Sequence, residues 1–155
     1  MTTTPLIKTL FDKKIDRLIE EVLKVDQTDE DFIKFEIDEY VVTDAIAKHY
    51  EGILDRYAET PNKPHEGIAI WVSGFFGSGK SSFAKMLGLA IENRMIAGEP
   101  AGERFGARTT NKVQLLLTQI AEKIPTHAVI FDVSTDRGIR SGSQTLTVAV
   151  TGDTD

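Results

Sequence analysis

Gly74-Phe75-Phe76-Gly77-Ser78-Gly79-Lys80-Ser81 decides the fold, because it has the spacing G-x-x-x-x-G-K-[ST] of a phosphate-binding P-loop. Each residue type in it has a chemical reason. A chain that bends this tightly turns successive backbone N–H groups inward, where they cradle a β-phosphate. Side chains would block that approach, which suits glycine at positions 74, 77 and 79. Lys80 brings a mobile ammonium to the β- and γ-phosphates, and the Ser81 hydroxyl is a ligand for Mg²⁺, a cation that prefers oxygen. Ser82 is placed to reach the α-phosphate.

The flanks carry the same message. Ile68-Ala69-Ile70-Trp71-Val72 is a short apolar run that predicts a buried strand. Beyond the loop, Phe83, Met86, Leu87, Ala90 and Ile91 fall at helical spacing. In the order strand, glycine loop, helix, the helix N-terminus adds its partial positive charge to the anion site. Further on, a loop is expected over 98–106. A helix follows from about Thr110 to Ile124, with Val113, Leu116, Leu117, Ile120 and Ile124 as its buried face and Pro125 as its stop. Ala128-Val129-Ile130-Phe131-Asp132 then reads as a buried strand, and Thr145 to Val150 as a further one. Strand, helix, helix, strand predicts an α/β protein with the parallel sheet of a P-loop NTPase.

Upstream the composition changes. Residues 1–66 hold 16 acidic and 9 basic side chains, a balance of −7; residues 67–155 hold 8 and 9, a balance of +1. Eleven of the twelve glycines lie at or after Gly67. The turn-forming stretch from Thr60 to Gly67 divides the chain into an acidic, mainly helical segment 1–60, a linker 61–67 and a nucleotide-binding domain 68–155. In the first segment, Thr4-Pro5 predicts a helix start, with Ile7, Leu10, Phe11, Ile15, Leu18, Ile19 and Val22 on one face. Residues 33–41 fit a strand (Ile33, Phe35, Ile37) and a helix (Ile33, Ile37, Tyr40, Val41) equally well. A second helix starts at Thr43 or Asp44, with Ile46, His49, Tyr50, Ile53, Leu54 and Tyr57 along its apolar stripe. On this reading His49 is a packed core histidine, and the aromatic positions are core and not a binding groove.

Composition narrows the function classes. With no cysteine, disulfides and thiolate metal sites are excluded, and a cytoplasmic location is expected. No pair among the three histidines has ligand spacing, so no structural metal is expected. No apolar run approaches the ~20 residues of a membrane span, and the formal net charge of −6 does not support direct nucleic-acid binding.

A P-loop NTPase also needs an acid at a strand end to hold the Mg²⁺ shell, and Asp132 is the candidate, paired with Lys80 as catalytic residues. Many ATP hydrolases follow that acid with a glutamate that orients the attacking water; here Val133 and Ser134 follow. The alternative is that Asp132 only closes a strand of the sheet. Arg104, Arg108, Arg137 and Arg140 admit an arginine-finger role, against the plainer reading of solvated surface.

Three stretches together carry a resemblance: Val25-Asp26-Gln27-Thr28-Asp29-Glu30, Glu39-Tyr40-Val41-Val42-Thr43, and Trp71-Val72-Ser73-Gly74-Phe75-Phe76-Gly77-Ser78-Gly79-Lys80-Ser81-Ser82-Phe83. They resemble the N-terminus of the large P-loop protein of bacterial BREX phage-exclusion systems, the BrxC/PglY family, from about Leu10 to about Thr147. The resemblance implies a protein that binds and hydrolyses ATP with Mg²⁺. It implies work alongside other BREX components, including a DNA methyltransferase, to block phage replication. It places nucleotide binding on Gly74, Phe75, Phe76, Gly77, Ser78, Gly79, Lys80, Ser81 and Ser82. In that family the chain runs on, the strand ending at Asp132 is the second of the sheet, and the metal-shell acid comes later. The closing Thr147–Asp155 departs from the pattern, so the nucleotide domain is expected to be an incomplete N-terminal part. Two other functions compete: a small-metabolite P-loop kinase, which would carry its loop near the N-terminus and an arginine-bearing lid, and a regulatory module that binds ATP without hydrolysing it.

Overall fold

The structure, a computed structural model, describes residues 7–10, 28–63, 69–132 and 146–152. Most of the first expected helix, His65 and residues 133–145, with Arg137 and Arg140, lie outside the described residues. Ile7–Leu10 forms a turn of 3₁₀ helix.

The ambiguous stretch is a helix, α1, Glu30–Glu39. Asp29 caps it by accepting the Phe32 N–H at 3.1 Å, and Glu30 and Asp31 complement the positive end of the helix dipole. Ile33 and Ile37, four apart, are buried, whereas a strand would have set Phe35 on the same face, and Phe35 is only half-buried. Tyr40–Val42 then pass outside helix to Thr43, whose hydroxyl accepts the Ile46 N–H and caps α2, Asp44–Ala58. Ala47, Tyr50 and Leu54 are its buried positions. His49 is exposed, contrary to expectation. One residue along a helix is a rotation of about 100°, so the burial of Tyr50 turns its neighbour away from the core.

α3, Lys80–Glu92, is the central element, with every residue from Ala84 to Ile91 buried. It ends at Asn93 in a left-handed conformation, and the Asn93 side chain accepts the Gly102 N–H at 2.9 Å. A side chain at Gly102 would meet the Ala90 carbonyl oxygen at 2.5 Å, so this crossing requires glycine. The expected loop over 98–106 is instead structured. β1 (Met95–Ile96) and β2 (Glu99–Pro100) form a two-residue hairpin through Ala97 and Gly98, both at positive φ. α4, Ala101–Gly106, follows directly. α5, Asn111–Lys123, starts at the Thr110 cap and buries Val113, Leu116, Leu117 and Ile120. Thr110 also donates to Glu51 of α2 at 2.8 Å.

β3 (Thr126–Asp132) pairs antiparallel with β4 (Leu146–Gly152), Thr126 opposite Gly152 and Asp132 opposite Leu146. Both described strand pairs are antiparallel. Ala69–Val72 belong to no strand, and Ile70, Trp71 and Val72 are exposed. An apolar run becomes a strand only when a neighbouring edge offers partners for its N–H and C=O groups, and the run itself does not specify that edge.

One hydrophobic core crosses the 61–67 linker. Ile33 and Ile37 of α1 and Tyr50 and Leu54 of α2 share it with Met86, Leu89 and Ile91 of α3 and with Val113 and Ile120 of α5. Polar ties reinforce it. Arg104 of α4 donates to Asp38 of α1 at 2.7 and 2.9 Å and to Glu99, while Arg108 donates to the Asp38 carbonyl. The Asp38 bonds push the Arg104 guanidinium pKa above its ordinary value. Arg104 therefore ties α4 to α1, and Arg108 ties the turn after α4 to the same residue.

The three tyrosines, Tyr40, Tyr50 and Tyr57, all have pKa values above the usual 10.0, chiefly because burial disfavours the phenolate. A group whose folded pKa is raised contributes stability that is intact below its unfolded value and is lost as pH climbs through the folded one. The protein should therefore hold its stability up to about pH 10 and lose it above. In an alkaline titration, tyrosinate absorbance should rise together with loss of the helical circular-dichroism signal. Ionisation centred near pH 10 with the helices intact would contradict this burial.

Candidate phosphate-binding loop

The loop Gly74–Gly79 is tied back to Lys80. The Lys80 ammonium donates to the carbonyl oxygens of Gly74 at 3.0 Å and Phe75 at 2.7 Å, so the side chain is folded back onto its own loop. The Ser78 N–H bonds the Phe75 carbonyl at 3.2 Å and tightens the turn. Gly77 (φ 76°) and Gly79 (φ 82°) take left-handed conformations that glycine adopts without steric cost. A Cβ on Gly74 would lie 2.6 Å from the Ser78 hydroxyl oxygen. All three glycines singled out from the sequence thus have a geometric need.

α3 begins at Lys80, with Gly79 as its cap residue. Glycine has no side chain to accept hydrogen bonds from the first-turn amides, so these amides and the positive end of the dipole face the loop. The first helical bond runs from the Phe83 N–H to the Gly79 carbonyl at 2.9 Å. Ser81 and Ser82, in the same turn, are half-buried. Polyphosphate fits the donor types in this stretch: the first-turn amides of α3, the Lys80 ammonium and the hydroxyls of Ser81 and Ser82. Ser81 is the residue that would hold Mg²⁺. Trp71, Phe75 and Phe76 flank the loop at 82%, 91% and 96% exposure.

Asp132 is the last residue of β3. That strand packs on α3, and His127 near its start bonds Glu92, the last residue of α3, at 2.9 Å.

Three features of the loop's setting escape sequence reasoning. Lys85, in the middle of α3, is 2% exposed and pairs with Glu36 of α1 at 2.6 Å. The Tyr50 ring stacks on Phe83 with centroids 4.4 Å apart, and its hydroxyl reaches the Phe83 carbonyl at 3.1 Å. The Tyr40 hydroxyl lies 3.3 Å from that of Tyr50. Lys85 falls within an apolar helical stripe, and that is the one signal that could have marked it as buried.

No protein-family model matches the chain, and no solved structure matches it. No described helix is long and apolar enough to cross a membrane.

Proposed function

We propose that this protein binds ATP with Mg²⁺ in the loop Gly74–Ser82, as the P-loop module of a cytoplasmic, bacterial BREX anti-phage system acting with other BREX components. The observation that carries nucleotide binding is the loop geometry: left-handed glycines at 77 and 79, and the Lys80 ammonium folded back to 2.7 Å from the Phe75 carbonyl. The BREX assignment rests on the Glu39–Thr43 and Trp71–Phe83 sequence boxes. The fold proposed with this reading is the parallel sheet of a P-loop NTPase.

Within the site, loop amides and the first-turn amides of α3 bind the β-phosphate, Lys80 neutralises charge towards the γ-phosphate, and Ser82 contacts the α-phosphate. Ser81 is the Mg²⁺ ligand; the ion, when bound, offsets negative charge shared between phosphates. Asp132 is the acid proposed for the metal shell, from its place at the end of an apolar strand. Val133 beside it favours binding over hydrolysis for these residues alone. The test is equilibrium binding of Mg·ATP with phosphate release measured on the same protein. Binding with slow or no release is expected. Phosphate transfer to a metabolite would overturn the reading in favour of a kinase, and absence of binding would overturn it altogether.

A further inference from the structure

The box Glu39-Tyr40-Val41-Val42-Thr43 is not explained by phosphate binding, since none of it lies in the loop. Its place in the fold gives it a role. Thr43 caps α2, and Tyr40 closes α1, so the box sets the spacing of the two helices. That spacing brings the Tyr40 hydroxyl to Tyr50 at 3.3 Å and the Tyr50 hydroxyl to the Phe83 carbonyl at 3.1 Å. A carbonyl can only accept and each hydroxyl has one proton. Tyr50 therefore donates to Phe83, and Tyr40 supplies the proton for the other bond.

The end point of this relay matters. Phe83 is where the first turn of α3 closes, through its N–H to the Gly79 carbonyl at 2.9 Å. The same turn carries Lys80, Ser81 and Ser82. The Tyr50 side chain has no exposed surface. It is held on two sides, stacked on Phe83 at 4.4 Å and edge-on to Phe105 at 5.2 Å. A donor this firmly fixed sets the height and rotation of the first turn of α3 against α2. Hydrogen bonds weaken steeply with angle, and binding sites need their groups held to within about 0.5 Å.

We infer that Tyr50, oriented by Tyr40, is a positioning residue for the phosphate site: it anchors the first turn of α3 so that the loop amides and Ser81 and Ser82 converge on one phosphate position. The inference deepens the proposed function and rests on it. By reciprocity, a bound nucleotide tightens the α1–α2 pair through the same contact.

Tyr57 provides a matched control. It lies on the same helix, and its hydroxyl bonds the Thr126 hydroxyl at 2.9 Å at the start of β3, beside the far end of α3. Tyr50→Phe and Tyr57→Phe each remove one hydroxyl and keep the ring. Mg·ATP affinity and urea stability are measured for both, with Tyr40→Phe as the intermediate case. Stability should fall in both, by similar amounts. Affinity should fall about 3- to 10-fold in Tyr50→Phe, less in Tyr40→Phe, and by under about twofold in Tyr57→Phe. Equal affinities for Tyr50→Phe and Tyr57→Phe, with wild-type binding intact, would overturn the positioning role and leave the phosphate site standing. A folded wild-type protein that does not bind Mg·ATP would overturn the site and this inference together.

Discussion

Lys80→Ala should lose about 10- to 100-fold in affinity for Mg·ATP while remaining folded, because a hydrogen bond to a charged group contributes about 1.5–3 kcal/mol. The ammonium lies within 3.0 Å of both the Gly74 and Phe75 carbonyls. Its removal takes away the positive charge nearest the terminal phosphates and the two bonds that draw the loop closed. Those bonds are on the exposed side, so the effect on folding should stay within about 1 kcal/mol. Lys80→Arg should not restore binding, because a planar guanidinium is larger than the point charge this curve encloses. Affinity measured by titration calorimetry decides the matter, with urea unfolding as the check on integrity. A folded Lys80→Ala protein that binds Mg·ATP as tightly as wild type would remove the loop from the site.

Lys85→Met should be the most destabilising single change at a charged residue, with a loss of about 3–5 kcal/mol in urea unfolding. Lys85 is 2% exposed and its partner Glu36 is 8% exposed, with 2.6 Å between charges. Methionine keeps the length of the side chain but takes away the ammonium that offsets the buried carboxylate. Against a total stability of about 5–15 kcal/mol for an ordinary domain, the loss is a large share. The double variant Lys85→Met, Glu36→Leu should recover most of it, since a buried ion pair replaced by apolar side chains of similar volume is often near neutral. The measurement that matters is the difference between single and double variants. Equal stability of Lys85→Met and wild type would mean that the pair is solvated and does not bind α1 to α3.

How much could be read beforehand follows from the range of the interactions involved. The glycine turn at 74–79, the Thr43 start of α2 and the Thr110 start of α5 depend on contacts within a few residues, and each was legible. Glycine at 77 and 79 signals left-handed backbone by itself, and a threonine hydroxyl caps an amide three positions on. Residues 30–39 were ambiguous because Ile33 and Ile37 share a face in a strand and in a helix; the Asp29 cap settles it. The hairpin at 95–100 and the short α4 were hidden in an expected loop, since two-residue strands have no periodicity. His49 was misplaced by one position on its helix, because aromatic Tyr50 and His49 compete for the same buried stripe and only packing against Phe83 and Phe105 selects Tyr50.

The amino-acid sequence by itself therefore determined the glycine turn at 74–79 and the helix that follows from Lys80, both set by short-range backbone geometry. Only the tertiary structure decided what holds that loop in place. Lys85 is buried because Glu36, 49 positions away, meets it at 2.6 Å. The hydroxyl of Tyr50 touches α3 because α1 and α2 lie against it. Arg104 is a tie and not a free cation because Asp38 faces it. Each of these depends on which faces meet across the core, and no window of local sequence contains both partners.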